Sequence, residues 1–418
     1  MKGRKILALL LIVFLSLSAA YASGAKESQD TKVETIDFWH HYSAQSAENK
    51  TLMNVLIPRF QQENPGIKVN AVSHEWAELH NKVLISSSTG SLPDVARCDI
   101  AWLPEFQKMG ILVPLDSEVP DFEKVSSRLL ESAMSTTFID KNHYALALNT
   151  NTKILFYNTK MLKDANVAVP KTTDELVAAI RSLSGKNAKG QQTWGWNEPA
   201  LSGWNLCPFI WTFGGALTNA DQTVATGFVN GKETVQAIET FVTLVKEGGI
   251  TGFNSGDIPM TDGFGTYRYA MMLEGPWKTA ELDGSYPNVE YGTALMPTGK
   301  GGSVSVLGGE DIAMLKGANK DAAWKFMTFM TGEFAQIEMA KSGQIPVNKM
   351  ALASDTVKNA PFAPFLDAIK TARARPTVST WSEIDNELNG AVHQVISGKK
   401  TVRSALDELA VKMDALLK

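Results

Sequence analysis

Apolar and polar residues alternate along the first third of the chain in units of one strand followed by one helix. Residues 35–39 alternate with the two-residue period of a strand, and the apolar positions between Leu52 and Phe60 then share one helical face. Further strand–helix units follow, with strands predicted at 67–72 and 95–98. Such alternation predicts an α/β protein with a largely parallel sheet and helices on both faces of that sheet.

Two interruptions of this pattern carry specific predictions. Pro58 stands inside the first predicted helix and should kink it or end its regular part, because proline lacks the N–H group that the helix needs. The polar run 149–152 separates the apolar runs 144–148 and 153–157. That pattern predicts two strands joined by a turn.

The stretch 269–278 reads Tyr-Ala-Met-Met-Leu-Glu-Gly-Pro-Trp-Lys. Its apolar start predicts a buried strand, which Gly275 and Pro276 then end. Trp277 would follow at the end of the strand, the edge of the sheet where α/β proteins bind ligands. The alternative is that Trp277 is a core residue, since most tryptophans are largely buried.

The second half of the chain contains further regular patterns. Helical periodicity predicts two amphipathic helices near the C-terminus and helices at 175–183, 235–246, 320–330 and 332–341. Residues 289–296 resemble a strand and 297–303 a flexible loop. The run 304–309 then leads into Glu310.

The N-terminus has the parts of a secretory signal. Three of the first five residues are basic, residues 6–17 are apolar and uncharged, and Ala20-Tyr21-Ala22 has the small-x-small pattern of a signal-peptidase site. The apolar run is shorter than the ~20 residues that span a membrane. We therefore expect residues 1–22 to be removed. Because no cysteine precedes Cys98, we expect a free protein without a lipid anchor.

Size and charge narrow the class of protein. The mature chain of about 396 residues is too long for one hydrophobic core and implies two or three domains. Loss of the basic signal residues takes the formal net charge from −4 to −7, so charge gives no reason to expect nucleic acid or an anionic membrane as partner. Ten tryptophans exceed what packing alone requires, and aromatic residues commonly line small-molecule pockets.

The sequence gives little support for catalysis or metal binding. The six histidines include no pair at i, i+4, and the two cysteines have no ligand spacing. The chain lacks a Gly-x-Ser-x-Gly elbow and a phosphate-binding Gly-x-x-x-x-Gly-Lys-Ser/Thr loop. Glu75, Asp99 and Glu310 leave one remote enzyme alternative, a secreted glycoside hydrolase that uses paired carboxylates.

Several short segments together resemble a known family. They are Phe-Gln-Gln-Glu-Asn-Pro-Gly-Ile-Lys-Val at 60–69, Leu-Pro-Asp-Val at 92–95, Phe-Tyr-Asn at 156–158, Gly-Pro-Trp at 275–277 and Gly-Lys-Lys-Thr at 398–401. Their order along the mature chain is similar to that in bacterial extracellular solute-binding proteins. The resemblance is to the carbohydrate group of this family, which includes maltodextrin-binding proteins.

The resemblance implies a two-lobed periplasmic-binding-protein fold in which each lobe is a mainly parallel sheet flanked by helices. It places hinge crossings of the chain near 144–149, 291–297 and 329–332. Lobe 1 would then comprise 23–147 and 292–330, and lobe 2 would comprise 148–291 and 331–418. Cys98 and Cys207 would lie in different lobes, so we expect two buried free thiols.

The resemblance also implies a function without catalysis. Members of the family bind a sugar or oligosaccharide between the lobes, close by hinge motion and deliver it to the membrane subunits of an ABC importer. No cofactor is expected. We expect a periplasmic monomer.

A sugar presents hydroxyls around its rim and weakly positive C–H faces, so its site needs planar polar groups and aromatic rings. Trp277 matches the Gly-Pro-Trp of maltodextrin binders and is the principal candidate platform. The other candidate ligand residues are His41, Glu75, Trp76, Asp99, Trp102, Trp204, Gly309, Glu310, Arg375 and Trp381.

Several of these candidates can also be explained without a ligand. Glu75 would be a solvated charge, Arg375 a solvated arginine, and Trp102, Trp204 and Trp381 packing residues. A second ligand class, a phosphorylated polyol or other anion, would need several basic groups in the cleft. The candidates are mostly aromatic and acidic, which favours a neutral sugar.

Overall fold

The computed structural model describes residues 33–418, so the predicted signal peptide lies outside the described residues. In this part of the chain the strands are β1 (Glu34–His40), β2 (Ile67–Ser73), β3 (Val95–Asp99), β4 (Phe138–Ile139), β5 (Asn142–His143), β6 (Ala145–Thr152), β7 (Ile154–Asn158), β8 (Gly185–Lys186), β9 (Gln192–Asn197), β10 (Ile250–Thr251), β11 (Tyr269–Glu274), β12 (Tyr291–Ala294), β13 (Val306–Met314), β14 (Ile345–Pro346) and β15 (Arg373–Ala374).

The α-helices of the same residues are α1 (Ala47–Thr51), α2 (Ile57–Glu63), α3 (Trp76–Thr89), α4 (Leu103–Lys108), α5 (Leu115–Glu118), α6 (Phe122–Ser126), α7 (Glu131–Met134), α8 (Thr159–Asp164), α9 (Thr173–Ser182), α10 (Gly203–Thr212), α11 (Lys232–Lys246), α12 (Met260–Gly265), α13 (Trp277–Ser285), α14 (Lys320–Met330), α15 (Glu333–Ala340), α16 (Lys349–Ala353), α17 (Asp355–Lys358), α18 (Ala363–Ile369), α19 (Trp381–Ile396) and α20 (Val402–Leu416). The predicted helices of the second half are all present. A 3₁₀ turn at Ser135–Thr137 and a π-helical turn at Leu52–Leu56 complete the set in residues 33–418.

Within residues 33–418 the longer strands belong to two sheets. The first sheet has the order β14-β6-β13-β3-β1-β2, with β15 beside β13. The second has the order β10-β9-β11-β7-β12, with β8 beside β9. In the first sheet β1 runs parallel to β2 and β3, while β13 is antiparallel to β3 and β6. In the second β11 is parallel to β9 and antiparallel to β7. We call the first sheet and its helices lobe 1, and the second sheet and its helices lobe 2.

Both sheets are covered on both faces, as the alternation of buried side chains shows. On β13, Ile312 packs into one core of lobe 1 and Ala313 into the core on the opposite face. On β7, Leu155 and Phe156 divide in the same way between the cores of lobe 2. Near-continuous apolar runs such as that of β11 follow from this double burial, because no residue of that strand faces water.

The expected irregularity at Pro58 is confirmed and takes a specific form. A π-helical turn at Leu52–Leu56 precedes α2, and Pro58 stands in the first turn of that helix. The N–H of Ile57 bonds to the carbonyl of Leu52, five residues earlier. The α-helical hydrogen-bond pattern begins again after this wider turn. The absent N–H of Pro58 therefore falls in the first turn of α2, where its loss costs little.

The turn predicted at 149–152 is wrong, because these residues are the second half of β6. Residues 145–152 form one strand that pairs with β13 throughout, with a bulge between Glu310 and Asp311. The hydroxyl of Thr152 also donates to the carbonyl of Val306 at 2.8 Å. The polar side chains thus belong to an interior strand whose end faces the other lobe, and the chain leaves this sheet at Lys153.

The cysteine prediction is confirmed: Cys98 and Cys207 are both buried and free. Cys98 lies on β3 in a core of lobe 1, and Cys207 lies on α10 in the main core of lobe 2. Burial raises the pKa of each thiol well above its ordinary value. Both therefore act as small apolar core residues.

Candidate ligand-binding cleft

A cavity of about 570 Å³ lies between the two lobes. Lobe 1 contributes the ends of β1 and β3, the starts of α1 and α3 and the bulged middle of β13. Lobe 2 contributes the starts of α10 and α13 and one face of α19. The volume lies in the range of small-molecule sites.

Most of the residues proposed from the sequence come together here. The cavity is lined by the predicted residues His41, Trp76, Asp99, Trp204, Trp277, Gly309, Glu310 and Arg375. They come from distant parts of the chain and from both lobes. Whether each touches a ligand stays a prediction.

Glu75, Trp102 and Trp381 do not line the cavity. Glu75 is exposed in the position before α3, with its side chain outside the cavity. Trp102 is only 2 % exposed and packs behind the wall, with its ring centroid 5.0 Å from that of Trp76. Trp381 is buried in the core of lobe 2, where Gly203 allows its ring to approach the start of α10. The packing and exposed-charge alternatives describe these residues better.

Trp277 is the first residue of α13 and follows the fully buried β11 directly after Gly275 and Pro276, as predicted. Its ring lies against the backbone of Gly275, where an added Cβ would stand 2.2 Å from the ring carbon Cη2. Gly343 approaches the backbone of the same residue, where an added Cβ would stand 2.9 Å from the Cα of Trp277. Glycine at 275 therefore leaves room for the large ring at the end of the strand.

Arg97 and Glu310 form a buried ion pair on neighbouring strands of lobe 1, with Nη2 and Oε2 2.8 Å apart. Arg97 lies over the Tyr42 ring at 4.1 Å, and its Nη1 is 2.8 Å from Nδ1 of His41. Burial and the guanidinium together hold the pKa of His41 well below its usual value, so its neutral ring accepts the hydrogen bond. The guanidinium of Arg97 is thus held by Glu310, Tyr42 and His41 together.

Arg375 and Asp99 form a second buried ion pair that joins the segment after β15 to lobe 1, with Nη2 and Oδ1 2.6 Å apart. Asp99 also accepts from the indole N–H of Trp76 at 3.2 Å. Arg375 and Lys153 each lie 5.3 Å from the centroid of the Trp204 ring. Cation–π attraction to these two side chains therefore holds the Trp204 ring in place.

Two further carboxyl groups, Glu48 and Asp385, line the cavity. Burial raises the pKa of both Glu48 and Asp385. Glu48 accepts from Nε2 of Gln344 at 3.0 Å, and Asp385 accepts from the backbone N–H of Gly203. Among residues 33–418, neither carboxylate has a cationic partner within ion-pair distance. The cavity is therefore lined by more carboxyl groups than basic groups.

Amide side chains are the group that sequence reasoning missed. The cavity is lined by Asn151, Asn205, Gln344, Asn386 and Asn389. The two on α19 lie on a different side of the helix from the apolar residues Ile384, Leu388 and Val392. Sequence reasoning also missed Arg97. It could have been found, because a charged residue at the centre of a predicted buried strand indicates a special role.

The described residues include no cluster suited to a metal ion and no helix long and apolar enough to cross a membrane. A pocket with amides, ion-paired charges and tryptophans from both lobes is typical of a two-lobed protein that binds a small polar solute. This is the class that the fold and the site establish together.

Comparison with known proteins gives the family. Residues 43–337 match the model of the family described as bacterial extracellular solute-binding protein, and the chain belongs to that family. It is 27 % identical over 376 residues to a putative binding protein of Brucella abortus, covering 86 % of this chain and 88 % of that one. It is 25 % identical over 390 residues to a multiple sugar-binding protein of Streptococcus mutans, covering 87 % of each chain.

The fold is also that of solved relatives. The crystal structure of the GacH receptor of Streptomyces glaucescens, described unliganded and with acarbose, superposes with a TM-score of 0.80. The match covers 92 % of this chain and 98 % of the receptor at 23 % identity. The predicted two-lobed fold and the predicted family are both confirmed, but the two large sheets are mixed rather than mainly parallel, because β13 in lobe 1 and β7 in lobe 2 run antiparallel to their neighbours.

Proposed function

We propose that the protein binds a neutral sugar or oligosaccharide between its lobes and delivers it to the membrane subunits of an ABC importer. The observation that carries this proposal is the pairing of amide side chains with tryptophan rings around one cavity. An amide offers both donors and acceptors, which suits hydroxyls that also do both. Trp76, Trp204 and Trp277 offer faces for the C–H surface of a pyranose. The names of the relatives that bind sugars support the same ligand class.

The charges of the cavity favour a neutral ligand over a phosphorylated polyol or other anion. An anion needs basic groups that lack a counter-charge. Arg97 and Arg375 are each held by a carboxylate. Glu48 and Asp385 add further carboxyl groups to the wall, and neither forms an ion pair within residues 33–418. An anion placed here would meet no basic group that lacks a counter-charge, whereas a neutral sugar needs none.

A glycoside hydrolase is the second candidate function. The positions of Asp99, Glu310 and Glu75 do not favour it. Hydrolysis needs an acid and a second carboxylate free to act on opposite sides of the bond. Asp99 and Glu310 lie directly opposite each other on adjacent strands, and each is engaged by an arginine. Glu75 is outside the cavity.

We further propose that binding closes the lobes and that the protein acts as a monomer. Each lobe contributes both tryptophan and amide side chains to the cavity, so one ligand contacts both lobes only when they are together. A ligand shifts the population toward that state by its differential affinity for it.

The lobe boundaries are also a proposal, and strand pairing and core packing guide their placement. The chain leaves the first sheet at Lys153, between β6 and β7, and returns to it within 295–305. α15 packs Ala335 and Met339 into the core of lobe 1, whereas Phe362 belongs to a core of lobe 2. Ala340 and Ile345 also belong to that core of lobe 2, whereas Val347 belongs to the core of lobe 1, so we propose a third crossing within 340–357 rather than near 329–332.

Export is expected to remove residues 1–22 and to leave a free periplasmic protein. The basic start, the short apolar run and the Ala-Tyr-Ala site support this prediction. Mass spectrometry of the mature protein should find Ser23 at the N-terminus without a lipid. A mature protein that retains the apolar run, or that carries an acyl chain, would contradict it.

A thermal-shift screen tests the ligand class. The panel should contain neutral mono- and oligosaccharides, phosphorylated polyols and inorganic phosphate. A neutral sugar at a hundred times its Kd should stabilise the protein by about 2.7 kcal/mol. Stabilisation by the phosphorylated compounds alone would favour the anion alternative. Release of shorter sugars on incubation with oligosaccharides would favour the hydrolase.

A further inference from the structure

The lobes also meet outside the cavity. Ser382, in the first turn of α19 in lobe 2, donates its hydroxyl to Oε2 of Glu105 on α4 of lobe 1 at 2.7 Å. The same oxygen is 2.8 Å from Nε2 of His80 on α3. None of these residues is part of the cavity wall, so their contacts are with one another.

On the lobe 1 side, His80 and Glu105 are held by packing and hydrogen bonds. The His80 ring is 9 % exposed, stacks on Phe106 at 5.5 Å and packs against Trp102 at 5.2 Å. Burial acts to raise the pKa of Glu105, but hydrogen bonds from His80 and Ser382 outweigh it and lower that pKa. Glu105 is therefore a fixed, ionised acceptor.

On the lobe 2 side, the helix that carries Ser382 is anchored in the core. The preceding residue, Trp381, is 3 % exposed in the main core, and Ile384 and Leu388 anchor the same helix there. Ser382 therefore moves with lobe 2 as a rigid part of it. Its bond to Glu105 therefore joins two firmly packed elements that belong to different lobes.

We propose that the Ser382–Glu105 hydrogen bond is a latch that sets ligand affinity without touching the ligand. The inference rests on the proposed function, because it assumes that ligand is held between closed lobes. A bond present only in the closed state stabilises that state alone, so its loss speeds opening and ligand release. Ser382 and Glu105 are thus positioning residues.

The latch differs from a ligand contact in what it changes. A residue that touches sugar alters the affinity for different sugars by different factors. The latch lies outside the cavity and should alter all affinities by one common factor. Its effect should fall mainly on the dissociation rate, because the open protein that captures ligand lacks the bond.

The test is Ser382→Ala, measured by calorimetry and stopped-flow fluorescence with at least three sugars that bind the wild type. Loss of a hydrogen bond to a carboxylate should weaken binding roughly ten-fold. The factor should be the same for every sugar, and the melting temperature without ligand should stay unchanged. Ser382→Thr retains the hydroxyl and should keep the wild-type dissociation rate.

A second variant separates the latch from a general effect of charge. Glu105→Gln removes the ionised acceptor and should also raise the dissociation rate. Glu383→Gln is the matched control, since Glu383 is an exposed neighbour of Ser382 on α19 and should leave binding unchanged. Ser382→Ala with wild-type affinity and release, or with losses that differ among sugars, would overturn the latch alone. A wild-type protein that binds no sugar of the panel would overturn the proposed function together with the latch.

Discussion

Trp277→Ala is expected to weaken sugar binding by about 2 to 4 kcal/mol, which corresponds to roughly 30- to 1000-fold in Kd. Trp277 offers a flat aromatic face at the mouth of a buried strand, supported from behind by Gly275. Truncation removes that face and lets water reach the C–H surface of the sugar. The fold should persist, because the ring is only partly buried and lies outside the cores of both lobes.

Isothermal titration of the variant with the sugar found by the screen measures this loss. Trp194→Ala is the matched control: Trp194 is also partly buried in lobe 2, on β9, but does not line the cavity. It should bind sugar as the wild type does. An unchanged Kd for Trp277→Ala would place this tryptophan among the packing residues, as the alternative interpretation of the sequence holds.

Arg97→Met is expected to reduce stability by about 3 to 5 kcal/mol and to abolish measurable binding. Arg97 is 3 % exposed and compensates the buried carboxylate of Glu310. Without it, Glu310 must stay charged without a partner or take up a proton. Either change costs free energy and alters the cavity wall, which includes both residues.

The double variant Arg97→Met/Glu310→Gln isolates the charge. It removes both members of the pair, so much of the lost stability should return, while binding should stay weak because the polar wall is changed. Urea unfolding of the single and double variants measures the difference. A single variant as stable as the wild type would show that the pair contributes little and that Glu310 is already neutral.

The sequence predicted the regular elements well because their residues obey local rules. β11 is a continuous apolar run, and α9 begins with the capping box that Thr172 and Glu175 form. The resemblance supplied the two-lobed arrangement, which no local pattern could give. Trp277 was found because glycine and proline mark the end of its strand.

The errors arise where tertiary contacts override local pattern. Residues 149–152 read as a turn because asparagine and threonine favour turns, yet β13 supplies hydrogen-bond partners along the whole of β6. The sequence left both ligand contact and packing open for Trp102 and Trp381, because position along the chain does not give the direction of a side chain. The amides of α19, such as Asn386, lie on a polar helix face that resembles any solvated face until a second lobe stands opposite.

The central claim is that one sugar is held by both lobes and draws them together. Small-angle X-ray scattering without and with saturating sugar tests it most directly, with binding verified by calorimetry on the same sample. The radius of gyration should be smaller in the bound protein, and tryptophan fluorescence should change with it. A radius that stays the same while calorimetry shows full binding would contradict closure around the ligand.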